Sequence, residues 1–322
     1  MERNIWAMRR GSTDPVAPCE DEMRIGVVFN PRSGVRRGQQ LYRMTNAAIF
    51  GSGNTPIFVT VERGSRLENS VSRLVEEVDV VATIGGDGTL NGVVNGVLDS
   101  SRPRTPVAFF PSGRGRDTAR TLPSFSLKSL GTTRIDWSRT VQVDVGRATG
   151  QGGASRYFIN VSNVGLSAEA ARVAGKLPRQ IGTSSYILGA VKAFLTERPR
   201  SVPVSIDGGP SVVLDDVLLL AMCNGRAFGG GLYVAPEASA TDGLLELVAV
   251  RNANLLDLGR NLSSLRDGTL LGHPALTRWR ARTVAVDPCD LAPIDLDGEM
   301  WGSVPITYSI VLSALNWIGP SS

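Results

Sequence analysis

The sequence predicts an α/β protein: a doubly wound parallel-sheet N-terminal domain, then a β-rich, sandwich-like C-terminal domain. Three observations carry this. Between residues 24 and 110, apolar runs of strand length alternate with segments of helical spacing. Glycine-containing turns follow three of those runs. Beyond residue 140 the pattern changes to short β-branched runs, several joined by turn signals such as Asp207-Gly208-Gly209-Pro210. With 322 residues, 42% of them apolar, the chain can build two cores.

Taken in order, residues 24–30 form a buried strand closed by Pro31. Residues 39–50 read as a helix ending at Gly51-Ser52-Gly53, and 56–61 as a strand. Residues 67–78 place Val71, Leu74, Val75 and Val78 on one helical face. A buried strand at 79–84, a helix at 89–98 and a strand at 106–110 complete the first half. The second half offers strands at 141–148, 157–161, 202–206, 212–220, 244–250 and 283–286, with helices at 167–174, 184–196 and 255–265. Arg278, Arg280 and Arg282 alternate along a further strand and read as a solvated face. Residues 304–318 carry Thr307, Ser309, Ser313 and Asn316, too polar a stretch to cross a membrane, and read as a last strand or helix. The expected domains are 23–139 and 140–303, with 304–322 packed back on the first. Residues 1–22 have charges and two prolines but no apolar signal core, and read as a disordered leader.

Composition excludes several chemistries. The one histidine, His273, precedes a proline, and Cys19, Cys223 and Cys289 share no metal-ligand spacing. Neither HExxH chemistry nor a zinc cluster can be built from these, and the only Gly-Lys, Gly175-Lys176, is followed by leucine, so no Walker A loop exists. Three scattered cysteines make no disulfide framework, which leaves the cytoplasm as the default compartment. The net charge of +4 suits anionic partners, but no basic run is interleaved with aromatics, so nucleic acid is not an expected partner. Catalysis must rest on carboxylates, arginines, hydroxyls and glycine backbone.

The strongest motif is Gly85-Gly86-Asp87-Gly88-Thr89, between a buried strand and a helix. Glycines allow close backbone approach, and the helix N-terminus offers unpaired N–H groups to a phosphate. Asp87 would repel a bare phosphate and makes sense there with a Mg²⁺ or ordered water between them. Asn30-Pro31-Arg32-Ser33-Gly34 follows the first strand and Ser112-Gly113-Arg114-Gly115-Arg116-Asp117 the fourth. Loops at the C-terminal ends of neighbouring strands surround one crevice. Near the C-terminus, an extended Asp295-Leu-Asp-Gly-Glu299 would set three carboxylates on one face, where mutual repulsion suits a general base; the alternative is a hairpin turn at Asp297-Gly298 with solvated flanks.

With these motifs in place, the sequence resembles the bacterial diacylglycerol kinase and lipid kinase family, related to sphingosine kinases and sharing its GGDGT loop with NAD kinases. The similarity runs from about residue 24 to 315. It includes the 30–34 loop, Gly85 to Asn91 continuing to Val94-Asn95-Gly96, residues 157–165, residues 223–231, residues 236–244 and Asp297-Gly298-Glu299. The resemblance implies an ATP- and Mg²⁺-dependent kinase acting on a lipid hydroxyl, most simply diacylglycerol, at a membrane surface. It implies nucleotide contacts from Asn30, Pro31, Arg32, Ser33, Gly34, Thr60, Gly85, Gly86, Asp87, Gly88, Thr89, Leu90, Asn91 and Gly92, with Arg114 added as a phosphate-capable cation. It implies an acidic network of Asp87, Asp117 and Asp144 around the catalytic Mg²⁺, and Glu299 as the base. Ser239, Asp242 and Leu244 would hold a structural Mg²⁺, the first and last through carbonyls. The expected location is cytoplasmic, with peripheral contact at the inner membrane face, and a homodimer is allowed. Three positions depart from the family: Arg114 for threonine, Arg116 for asparagine, and Gly92 where many members have glutamate. The alternatives are a kinase of another alcohol, soluble, sphingoid or NAD-like, or a nucleotide or lipid sensor that kept the fold.

Overall fold

The computed structural model describes residues 22–62, 66–132, 134–165, 198–251, 255–270, 272–289 and 293–320. The helices expected at 167–174 and 184–196, and the leader up to residue 21, lie outside the described residues.

The first half alternates strand and helix: β1 (Arg24–Phe29), α1 (Val35–Gly51), β2 (Thr55–Thr60), α2 (Leu67–Leu74), β3 (Val80–Gly85), α3 (Asp87–Leu98) and β4 (Val107–Pro111), then the short α4 (Leu127–Thr132). The strands pair in parallel in the order β2-β1-β3-β4. β3 and β4 are buried at every residue because both sheet faces are covered. On one face Ile25, Val27, Ala82, Ile84 and Phe110 pack on Leu41 and Ile49 of α1 and on Phe125. On the other, Val28, Val81, Val107 and Phe109 meet Val71 and Leu74 of α2 and Leu90, Val93 and Val97 of α3. Each such side chain contributes about 2 kcal/mol on burial, so the apolar runs fix which segments become strands.

Two helix ends differ from the expectation. α1 starts at Val35, not at residue 39, because Gly34 adopts left-handed backbone and its carbonyl accepts the Gly38 N–H; the polar first turn hid this from the apolar period. α2 stops at Leu74, and Val75 and Val78 reach the core from the turn beyond it.

The second half is largely antiparallel: β5 (Val141–Gly150), β6 (Ser155–Phe158), β7 (Val161–Gly165), β8 (Arg200–Ile206), β9 (Val212–Cys223), β10 (Leu245–Arg251), α5 (Leu255–Asp267), β11 (Leu276–Ala281), β12 (Thr283–Val286), β13 (Ile294–Leu296), β14 (Glu299–Met300) and β15 (Ile306–Ile318). Arg278 departs from the expected solvated face. It pairs with the buried Glu246 at 3.6 Å and donates to the carbonyls of Val234 and Leu270, because β10 places that carboxylate beside it.

The last segment is a strand. β15 runs antiparallel to β12 and β5, then lies parallel to β4 through Trp317↔Val107 and Ile318↔Ala108. It thereby joins both halves in one hydrogen-bonded sheet. Trp317 is buried against Phe109, and its indole N–H donates to the Pro123 carbonyl at 2.7 Å. No helix among the described residues is long and apolar enough to cross a membrane.

Candidate active site

The three glycine loops meet at the C-terminal ends of β1, β3 and β4. Asn30 Nδ2 donates to Thr89 Oγ1 at 2.9 Å, and its Oδ1 accepts the Arg32 N–H at 3.1 Å. This ties the first loop to the second. At Gly34, φ is +54°, and a β-carbon there would lie 1.9 Å from the Ser112 carbonyl oxygen. Only glycine fits that contact between the first and third loops. A β-carbon on Gly113 would lie 2.7 Å from Gly86 Cα, so the second and third loops also touch.

The loops open on a cleft of about 420 Å³ lined by Asn30, Ser33, Gly86, Gly88, Thr89 and Gly92, with Val61, Leu67, Glu68, Arg156 and Glu299. Of the other expected nucleotide residues, Pro31, Arg32 and Gly34 shape the first loop. Gly85 ends β3, and Thr60 is exposed at the end of β2 beside Val61. Leu90 belongs to the core and Asn91 is buried. Arg114 is exposed on the third loop and is not among the cleft's lining residues.

Asp87 and Asp117 come together. A β-carbon on Gly115 would stand 3.1 Å from Asp87 Oδ2 and 3.2 Å from Asp117 Oδ2. Asp87 Oδ1 accepts the Thr118 N–H at 3.1 Å; Asp117 Oδ2 accepts the Gly230 N–H at 2.8 Å. Burial first, and the Asp87 charge second, push the Asp117 carboxyl up to about 7. Two carboxylates left to repel each other beside a phosphate-sized cleft fit a Mg²⁺, which binds through one or two carboxylates plus substrate phosphates. Asp144 is held differently: its carboxylate accepts the N–H groups of Gly243 at 2.8 Å and Ser313 at 2.7 Å.

Arg116 has φ +53°, a backbone region that asparagine tolerates and arginine does not favour. It also adds repulsion to Arg37. Arg116→Asn is expected to stabilise the fold by about 1 kcal/mol, measured as a higher urea midpoint at unchanged slope.

The stretch 295–299 corrects the extended expectation. β13 and β14 pair across a two-residue turn at Asp297 (φ +52°) and Gly298 (φ +85°), so the three carboxylates do not share a face. Its two flanks differ: Asp295 and Leu296 are buried, while Glu299 and Met300 keep exposed surface. The Asp297 carboxylate accepts Asn91 Nδ2 at 2.8 Å and the N–H groups of Ile159, Asn160 and Val161 at 2.9, 2.9 and 3.0 Å. Asp297 therefore anchors the hairpin to α3. Glu299, two residues on, reaches the GGDGT loop: a β-carbon on Gly88 would sit 2.8 Å from its Oε1. That shelter raises the Glu299 carboxyl above its usual range; Arg156 opposes the shift and Glu68 adds to it.

In the 239–244 loop the Asp242 carboxylate is engaged by other groups of the protein. One Asp242 oxygen is ion-paired with Arg280 and the other accepts the Leu244 N–H at 3.1 Å, while Ser239 Oγ bonds Thr241. No cluster of three metal-ligating side chains occurs among the described residues.

Sequence reasoning missed Arg156 and Glu68. Arg156 Nη2 donates to Glu68 Oε1 and to Asn91 Oδ1, each at 2.8 Å. They are 88 positions apart, and no local signal joins them.

Residues 24–148 match the family described as "Diacylglycerol kinase catalytic domain", and residues 160–319 match "YegS C-terminal NAD kinase beta sandwich-like domain". The chain belongs to the bacterial diacylglycerol kinase family. Relatives include a diacylglycerol kinase of Staphylococcus carnosus, 27% identical over 289 residues and covering 88% of this chain and 91% of its own. One of Bacillus subtilis is 26% identical with the same coverage. A solved diacylglycerol kinase of Bacillus anthracis, 15% identical, superposes with a TM-score of 0.63 over 94% of this chain and 98% of its own, which shows the shared fold. The α/β domain with a β-rich sandwich-like partner is thus the family architecture, and membership makes the chain a lipid-phosphorylating kinase in general terms.

Proposed function

We propose that the protein transfers the γ-phosphoryl group of ATP to the free hydroxyl of diacylglycerol, giving phosphatidic acid and ADP. The observation that carries this reading is the Glu299 carboxylate held against Gly88 of the phosphate-cradling loop, in the same cleft. The loop N–H groups at the start of α3 bind and orient the phosphates. Glu299 takes the proton of the lipid hydroxyl. Its oxygen attacks the γ-phosphorus in line, and the bond to the β-phosphate oxygen breaks with its electron pair leaving on ADP. Asp87 and Asp117 would hold a Mg²⁺, which would supply charge neutralisation at the phosphates. Asp144 fixes the backbone at Gly243 and at Ser313 of β15. Diacylglycerol fits as acceptor because the relatives carry that name, and the lipid enters from a membrane surface. The exposed placement of Arg114, off the cleft, counts against a sensor whose nucleotide pose is blocked.

The test offers γ-labelled ATP and Mg²⁺ with mixed micelles of diacylglycerol, a sphingoid base, or NAD. Label is expected in phosphatidic acid. Transfer to NAD alone, or to the sphingoid base alone, would overturn the assignment of acceptor.

A further inference from the structure

Arg156 is the one cation among the described residues that line the cleft. It comes from β6, in the second half of the chain, and with Glu299 faces a site otherwise built by the first. Around it stand Glu68, Glu299 and Asn91. Its guanidinium is only half used. Nη2 serves both Glu68 and Asn91, while Nε is buried and has no hydrogen-bond partner among the described residues. Nε and Nη2 form the edge with which arginine grips two oxygens of one oxyanion. A buried donor left without an acceptor is unfavourable, and the Glu68 pair is too accessible to offset it: both side chains keep about a quarter of their exposure. The cleft holds backbone N–H groups suited to phosphate, two carboxylates that repel it, and no lysine.

We infer that Arg156 is the phosphate-gripping cation of this cleft, kept in place by Glu68 until the triphosphate of a nucleotide takes over its guanidinium. This rests on the nucleotide reading of the cleft and adds the residue that meets the phosphates. The exchange is favourable because a multiply charged phosphate chain replaces a single half-exposed carboxylate. Asn91 keeps the guanidinium aligned, since it is itself fixed by Asp297.

The experiment measures binding of MgATP and of adenosine to the full chain by calorimetry, without lipid, so that it is independent of the acceptor. Arg156→Gln is expected to weaken MgATP by about 10- to 100-fold and to leave adenosine unchanged. Arg156→Lys restores the charge without the fork and lies between. Glu68→Gln removes the resting competitor and binds MgATP as tightly as the wild type or more tightly. Equal MgATP affinity in wild type and Arg156→Gln overturns the inference alone. So does equal loss of MgATP and adenosine, which marks a structural role. If Arg156→Gln fails to fold by circular dichroism, Glu68→Gln decides: weakened MgATP binding there means the pair is structural and overturns it. A wild type that binds adenosine but not MgATP removes the kinase reading together with this inference.

Discussion

Glu299→Gln is expected to lower kcat by about 100- to 10,000-fold, the usual contribution of a general base, while MgATP binding stays within about twofold. Glutamine keeps the shape and a carbonyl over Gly88 but cannot take the proton. The hairpin survives because its anchor is Asp297, whose four hydrogen bonds do not involve residue 299. Steady-state kinetics with diacylglycerol micelles reads the loss, and kcat equal to the wild type would remove Glu299 as the base. The pH profile gives a separate check. As the proposed base Glu299 would work ionised, so activity is expected to fall as pH drops through its pKa, and burial places that acid limb above the ordinary glutamate value of 4.5. Glu68→Gln, by deleting a repelling charge, moves the limb to lower pH. Arg156→Gln, by deleting an attracting one, moves it higher.

What could be read from the sequence follows from how local each signal is. The parallel strands were legible because burial on both faces leaves continuous apolar runs in β3 and β4. The GGDGT loop was legible because a strand, a glycine turn and a helix start fall within a few residues. β15 was ambiguous because its period-two pattern is broken at Ser313, where φ is +48° and the register against β5 shifts. Its mostly apolar stretch therefore suited helix or strand. Arg278 read as solvated because Glu246 lies on the neighbouring strand, 32 positions away in sequence by their numbering. Arg156 and Glu68 carry no motif at all; only the packing of β6 and of α2 against α3 brings them to one cleft. The family resemblance located Asp297-Gly298-Glu299. Which carboxylate anchors and which faces the cleft depends on a turn with two positive φ angles, and the extended reading could not separate them.

Asp117→Asn is expected to stabilise the metal-free protein at pH 8 by on the order of 2–4 kcal/mol while removing most phosphoryl transfer. In the fold, burial and the Asp87 charge lift the Asp117 carboxyl from 3.8 to about 7. The folded state therefore binds this proton more tightly than the unfolded chain does. As pH rises from about 4 to 7 the unfolded chain releases it and the folded protein does not, so this group's contribution to stability falls across that window and levels off above it. Asparagine has no charge to bury. Its carbonyl can still accept the Gly230 N–H, and its amide can donate toward Asp87 where the carboxylate repelled it. Urea unfolding in EDTA at pH 5 and pH 8 measures the effect: wild type loses stability between the two from this source, and the variant does not. With Mg²⁺ the order is expected to reverse, because a cation bound there would stabilise the ionised Asp87–Asp117 pair, whereas the variant offers one carboxylate. A variant no more stable than wild type at pH 8 in EDTA would mean that the two carboxylates are not in conflict. The repulsion on which the proposed cation site rests would then be absent.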